Sequence, residues 1–126
     1  MKTAWPVLLG CLAVLLVMPR GVTVQERRVV RVSAERFSFT PSRIELRVGE
    51  EVDLVLTSDD TSHGFRIEGT DVDLAIPKRG PGEARATVSF DKAGRYEFAC
   101  DRMCGAGHNF MRGELIVREP RQGAPR

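Results

Sequence analysis

Hydrophobic and polar residues alternate along most of the chain from Val24 onward, and no stretch shows helical spacing. Turn residues such as Gly49-Glu50-Glu51 and Asp91-Lys92-Ala93-Gly94 separate these short runs. The alternating runs fall at residues 44–48, 52–56, 65–67, 72–76, 84–90, 96–100 and 115–117. Short strands with frequent turns predict an all-β domain, an antiparallel sandwich or barrel of roughly 100 residues.

The N-terminal segment differs from the rest because Ala4–Met18 is apolar throughout, with Lys2 before it and Pro19-Arg20-Gly21 after it. As a helix it would extend about 22 Å, short of a hydrocarbon core of roughly 30 Å. This length favours a signal peptide. No clean small-residue cleavage site follows, so an uncleaved N-terminal anchor is the alternative. Leu8-Leu9-Gly10-Cys11 also resembles a lipoprotein box, although the apolar run continues past the cysteine.

These features divide the chain into a leader at residues 1–24, a folded body at 25–119 and a disordered tail at 120–126. Each interpretation of the leader puts the body outside the cytoplasm, in a periplasm or on the outer face of an inner membrane. The leader also offers a route to membrane contact.

Composition narrows the function. Hydrophobic residues make up 42% of the 126 residues and charged residues 29%, which is typical of a folded domain rather than a disordered chain. Two of the 19 basic residues, Lys2 and Arg20, flank the leader, so the body is close to neutral against 17 acidic residues. We therefore expect no nucleic-acid partner, since bulk nucleic-acid binding needs a basic surface.

The candidate chemistry lies in one segment, where Cys100, Cys104 and His108 recur at intervals of four and Met111 follows. The segment falls between two predicted strands, which makes it a loop. The second histidine, His63, lies beside an earlier strand. Thiolates, imidazoles and a thioether together select copper over harder cations, and thiolate and imidazole suit both copper oxidation states.

Two other interpretations of these residues remain open. Cys100 and Cys104 could form a disulfide in an oxidising compartment. Zinc could be held by the two cysteines with His63 and His108, although zinc would not use Met111. In either case the zinc ion or the disulfide would cross-link the fold, and the domain would be an interaction module rather than a redox protein.

The loop Cys100-x-x-x-Cys104-Gly105-x-x-His108-x-x-Met111 resembles the CuA motif of cytochrome c oxidase subunit II. The segment Leu56–Phe65 resembles the part of that family that carries its first histidine. Phe39-Thr40-Pro41 and the strand around Ile44 resemble the opening strands of its cupredoxin domain. The resemblance covers about Val29–Arg118 and implies a cupredoxin-like Greek-key β-sandwich or barrel, here with an N-terminal apolar leader.

Carried over residue by residue, the resemblance implies two copper ions bridged by Cys100 and Cys104. His63 and His108 would each bind one ion, and the weak ligands would be Met111 and the backbone carbonyl of Arg102. The implied donor is a c-type cytochrome or similar carrier. The implied acceptor is a haem-copper oxidase catalytic subunit or another terminal reductase.

An alternative from a different class is a stand-alone periplasmic copper-binding protein for copper delivery, storage or sensing. Neither hypothesis predicts chemistry on an organic substrate, because His108 is needed at the metal and no base–orienter set accompanies the cysteines. Any oxygen reduction would belong to a larger complex.

Overall fold

The computed structural model describes Gly21 and residues 26–123. The predicted leader, apart from Gly21, and the last three residues of the predicted tail lie outside the described residues. Within the described part of the chain, no helix is long and apolar enough to cross a membrane.

The described chain is built from short strands, which confirms the all-β prediction, and its only helical element is a single 3₁₀ turn at His108–Phe110. The strands are β1 (Arg28–Glu35), β2 (Ser38–Thr40), β3 (Arg43–Arg47), β4 (Val52–Ser58), β5 (His63–Ile67), β6 (Asp73–Ile76), β7 (Ala84–Val88), β8 (Gly94–Ala99) and β9 (Arg112–Arg118).

The strands form two sheets, with the orders β2-β1-β4-β7 and β3-β9-β8-β5-β6. The predicted antiparallel pairing holds for five of the seven strand pairs, but β1 pairs with β4 and β3 pairs with β9 in parallel. The cause is the path of the chain. After β2 the chain leaves the first sheet, forms β3 in the second sheet, and then returns beside β1 as β4. Alternation of polar and apolar residues reports which face is buried and carries no information on strand direction.

The apolar faces of the two sheets meet in one core. Its centre is an aromatic cluster of Phe39 from the first sheet with Phe65 and Phe98 from the second, all at most 2% exposed. The ring centroids lie 5.6 Å apart for Phe39–Phe65, 5.3 Å for Phe39–Phe98 and 5.0 Å for Phe65–Phe98. These separations are typical of favourable edge-to-face and tilted contacts. The cluster therefore holds the two sheets together beneath the end of the sandwich that carries His63.

The turn between β3 and β4 shows how local sequence sets the path of the chain. Gly49 has a φ of +77°, in the left-handed region that glycine adopts without a steric penalty. The Glu50 N–H donates to the Arg47 carbonyl at 3.0 Å and closes the turn. The observed turn covers Val48 and Gly49, so it overlaps the predicted Gly49-Glu50-Glu51 turn and begins one residue earlier.

Candidate metal centre

The segment between β8 and β9 is the metal-loop, residues 100–111. Its base is closed because Ala99 pairs with Arg112, and the Cys100 N–H donates to the Met111 carbonyl at 3.0 Å. The loop therefore leaves the sheet and returns to it at adjacent positions, as the sequence predicted. Its far end is shaped by the 3₁₀ turn at His108–Phe110, where the Met111 N–H donates to the His108 carbonyl.

His63 is the first residue of β5, which pairs with β8 through Arg66 and Ala99. This pairing brings the early histidine beside the metal-loop. Ligand atoms of His63, Cys100 and Cys104 all lie within 4.8 Å of one another, and all three residues are buried. The two sulfur atoms are 3.4 Å apart and the cysteines are free, so the structure does not contain the alternative disulfide.

The remaining predicted ligands surround this group of three. The Arg102 carbonyl lies 3.1 Å from the Cys100 Sγ atom, and the fully buried Met111 places its Sδ atom 3.9 Å from the Cys104 Sγ atom. His108 is half-buried and does not belong to the group of three.

Two imidazole nitrogens provide an independent indication of a ligand. The Nδ1 atoms of His63 and His108 are buried and have no hydrogen-bond partner among the described residues. A buried polar atom without a partner is costly, and most such atoms in proteins are satisfied. A metal bound through Nδ1 of each ring would remove this cost. Two thiols, two imidazole nitrogens, a thioether and a carbonyl are a donor set that fits copper.

Asp60 contacts His63 through the Nε2 atom of its ring. Its Oδ1 atom lies 2.7 Å from the His63 Nε2 atom, and its carboxylate also accepts hydrogen bonds from the backbone N–H groups of Thr61 at 2.6 Å and Arg36 at 3.0 Å. Burial alone would raise the pKa of Asp60, but the hydrogen bonds from His63, Arg36 and Thr61 outweigh it and lower the pKa to about 2. Sequence reasoning missed this residue, although its position three residues before a candidate ligand was a usable signal.

The cysteine sulfurs lie in a tight, weakly polar environment. The Gly64 N–H donates to the Cys100 Sγ atom at 3.4 Å, and a Cβ atom at Gly64 would lie 3.0 Å from the Arg102 backbone nitrogen. Burial, the hydrogen bond with Cys100 and the charge of that residue together raise the pKa of Cys104 to about 11. The metal-free site therefore keeps Cys104 as a thiol at neutral pH. A metal ion must displace this proton to bind the thiolate.

A second contact to the metal-loop comes from the turn between β1 and β2, residues 36–37, which sequence reasoning also missed. The Arg36 Nε–H donates to the Cys104 carbonyl at 2.7 Å. The Phe37 ring lies so close to Gly105 and Gly107 that a Cβ atom would meet ring carbons at 2.9 Å and 2.3 Å. The absence of a Cβ atom at the two glycines therefore permits this close approach, and Gly105 also has a φ of +141°, which other residues rarely adopt.

The outer surface of the metal-loop carries two large apolar side chains. Met103 is 82% exposed and Phe110 is 83% exposed. Most of the phenylalanines were expected in the core, and Phe110 is an exception because its turn projects it away from the sandwich. The sulfur group therefore lies beneath a surface that is partly apolar.

The comparisons with known proteins agree with this fold. A family model described as a cupredoxin-like domain matches residues 8–117. The chain is 36% identical over 91 residues to a cytochrome c oxidase subunit 2 from Thermus thermophilus, covering 71% of this chain and 65% of the relative. It is also 34% identical over 104 residues to a nitrous-oxide reductase from Ralstonia nicotianae, covering 77% of this chain and 16% of the relative. The predicted resemblance to subunit II is confirmed.

A solved structure of a haem-copper terminal oxidase dimer, determined by cryo-EM, contains a chain with the same fold. The TM-score is 0.65 at 29% identity, covering 72% of this chain and 65% of that chain. Among the curated relatives, the chain spans 65% of the length of the subunit 2 described above and 52% of the length of a second subunit 2 from the same species.

Proposed function

Because this chain belongs to the cupredoxin-like domain family, we propose that it is a binuclear copper electron-transfer domain of the CuA type. One observation carries the proposal: two free, buried cysteine sulfurs lie 3.4 Å apart and within 4.8 Å of a histidine ligand atom. A mononuclear blue-copper site uses a single thiolate, whereas two adjacent thiolates suit a pair of copper ions that share them.

The proposed ligands divide between two parts of the fold. Cys100 and Cys104 would bridge the two ions, and the unpartnered Nδ1 atoms of His63 and His108 would bind one ion each. The Arg102 carbonyl and the Met111 thioether would be the weak ligands, since each lies beside one of the two sulfurs. When bound, the copper pair supplies a couple that accepts and releases one electron at a time.

The chain itself contributes rigidity and exclusion of water. Met111 is fully buried, while Cys100 and Cys104 are 5% and 4% exposed. Ligands held by paired strands move little when the charge of the site changes, which lowers the cost of electron transfer. Burial also protects the thiolates from oxidation, because that reaction requires access to the sulfur.

We further propose that the partners are redox proteins. A c-type cytochrome or similar carrier would be the donor, and a haem-copper oxidase or another terminal reductase the acceptor. The names of the relatives support this pairing, since one is an oxidase subunit and another a nitrous-oxide reductase. We also propose a position outside the cytoplasm, where the predicted leader would place the folded body. In this role the chain is an electron relay, and reduction of the terminal acceptor belongs to the partner.

The test is an EPR spectrum of the chain loaded with Cu(II) and then desalted. We expect hyperfine structure from one electron shared by two equivalent copper nuclei. Cys100→Ser should abolish that pattern, because one thiolate cannot bridge with the same symmetry. Cys11→Ser is the matched control, since it removes the leader cysteine and should leave the spectrum unchanged.

The other outcomes separate the alternatives. A signal from a single copper ion would favour the stand-alone copper-binding protein. Bound zinc, or a disulfide with no copper signal, would overturn the electron-transfer proposal. Transfer of electrons from a reduced c-type cytochrome to the loaded chain, followed by stopped-flow absorption, would then test the proposed donor.

A further inference from the structure

The proposed ligands come from segments that are far apart in the chain, and one short turn contacts both. His63 begins β5, while the cysteines lie in the metal-loop. The turn at Arg36 and Phe37 belongs to neither segment and contributes no ligand atom.

The first contact runs from this turn to His63 through Asp60. The Arg36 backbone N–H donates to the Asp60 Oδ2 atom at 3.0 Å, and the Oδ1 atom of the same carboxylate lies 2.7 Å from the His63 Nε2 atom. A carboxylate acts as a hydrogen-bond acceptor, so this contact favours a proton on Nε2. The ring then keeps the lone pair on Nδ1, the buried nitrogen that has no other partner among the described residues.

The second contact runs from the same residue to the metal-loop. The Arg36 guanidinium donates to the Cys104 carbonyl at 2.7 Å, across 68 residues of sequence. The Phe37 ring packs against Gly105 and Gly107 directly after it. The backbone that carries Cys104 is therefore held by both a charge-assisted hydrogen bond and an aromatic contact.

We propose that Arg36 is a positioning residue that joins the two ligand-bearing segments, its backbone holding the Asp60 carboxylate that orients His63 and its guanidinium holding the carbonyl of Cys104. The inference rests on the proposed function, because the positioned side chains are taken to be the copper ligands. Arg36 touches neither a sulfur nor an imidazole, so its effect on the metal is indirect.

The position of Arg36 gives this role a distinct signature. Arg36 is exposed, so removing its side chain leaves no cavity in the core. A purely structural role would therefore change stability slightly and leave the metal site unaltered. A positioning role predicts a loss of copper affinity of about 10–100-fold, the usual effect of removing a group that orients a ligand.

The experiment compares three variants of the full chain. Arg36→Met keeps an unbranched side chain and removes the donors, while Arg36→Lys keeps a charged donor that can reach a carbonyl. Arg31→Met is the matched control, because Arg31 lies on β1, the strand that leads into the turn, is exposed and makes no side-chain hydrogen bond with another described residue. Copper affinity is measured by competition with a chelator, and the copper site is characterised by its EPR spectrum.

We expect Arg36→Met to weaken copper affinity about 10–100-fold and to change the hyperfine pattern. Arg36→Lys should recover part of both, and Arg31→Met should match the wild type.

A measurement without copper keeps this inference separate from the proposed function. In the metal-free chain, the amides of His108, Phe110 and Met111 donate within the metal-loop, and their hydrogen exchange reports its order. We expect faster exchange at these amides in Arg36→Met than in Arg31→Met. The ¹⁵N shifts of His63 should also indicate the Nε2–H tautomer, and Asp60→Asn should disturb it.

The outcomes are separable. Failure of the wild type to bind copper would overturn the proposed function, while the metal-free exchange would still test Arg36. Wild-type copper affinity and wild-type loop exchange in Arg36→Met would overturn the positioning role. If Arg36→Met fails to fold, Arg36→Lys decides: a partial loss of affinity with faster loop exchange, not seen in Arg31→Met, supports the inference. Wild-type affinity and exchange in Arg36→Lys, or the same losses in Arg31→Met, overturn it.

Discussion

The aromatic cluster beneath the metal centre offers the sharpest test of how this sandwich is stabilised. Phe65 is fully buried, and its ring contacts Phe39 at 5.6 Å and Phe98 at 5.0 Å. Phe65→Ala removes both contacts and leaves a cavity between the sheets. Phe65→Leu keeps most of the apolar volume and removes only the aromatic geometry.

The expected magnitudes follow from these two losses. Truncating a buried phenylalanine to alanine costs about 3–5 kcal/mol in the free energy of unfolding. Each lost ring pair accounts for about 0.5–1.5 kcal/mol beyond buried area, so we expect Phe65→Leu to cost about 1–3 kcal/mol. Phe110→Ala changes the same residue type at a side chain that is 83% exposed, and should alter stability by no more than about 0.5 kcal/mol.

The assay is urea unfolding of the metal-free, reduced chain, followed by circular dichroism. With a slope of about 2 kcal/mol per molar urea, Phe65→Ala should lower the midpoint by about 2 M. The slope should stay constant across the variants, because each still exposes nearly the same surface on unfolding. Equal midpoints for Phe65→Ala and Phe110→Ala would show that burial of the ring has no bearing on the loss of stability.

Other predictions concern the metal site, one titrating group and one close contact. We expect Met111→Leu to keep both copper ions and shift the reduction potential, as measured by redox titration; complete loss of copper would show that the thioether is a main ligand. The Thr87 hydroxyl donates to Asp53 at 2.6 Å and is the main cause that lowers the pKa of that carboxyl. A carboxyl with a lowered pKa stabilises the fold above its unfolded-state pKa, and this stabilisation is lost as the pH falls. Thr87→Val should therefore raise the pKa of Asp53 in an NMR titration and move acid unfolding to higher pH. An unchanged pKa of Asp53 would contradict this. A Cβ atom at Gly113 would lie 2.2 Å from the Phe98 ring, so Gly113→Ala should cost at least about 1–3 kcal/mol in thermal unfolding, whereas Gly21→Ala, in open space, should cost little.

Features that depend on one strand or one loop were predictable from the sequence. Alternation located the runs that become β3, β4 and β9, because a strand with one buried face must repeat every two residues. The interval between Cys100 and Met111 identified a loop between two strands, and the structure contains that loop. The metal donors were recognisable from residue type alone, since few side chains offer sulfur or imidazole.

Features that depend on the three-dimensional path of the chain were not predictable from these patterns. The parallel pairs β1–β4 and β3–β9 arise from the chain crossing between sheets, which leaves no mark on the polar pattern. The role of Arg36 depends on a carbonyl 68 residues away, and one arginine among the sixteen in the chain carries no local signal. Asp60 lies between these cases, since its proximity to His63 in sequence was visible but its orientation was not.

The wide sequence separation within the site also has a consequence for biogenesis. Neither His63 alone nor the metal-loop alone offers the full set of proposed copper ligands. His63 reaches the cysteines only after β5 has paired with β8. Proteins rich in such non-local pairings fold in milliseconds to seconds, about the slow end for small domains. During that interval both thiols are open to oxidants. We expect copper to enter a completed sandwich and to stabilise it afterwards by mass action, rather than to template its folding.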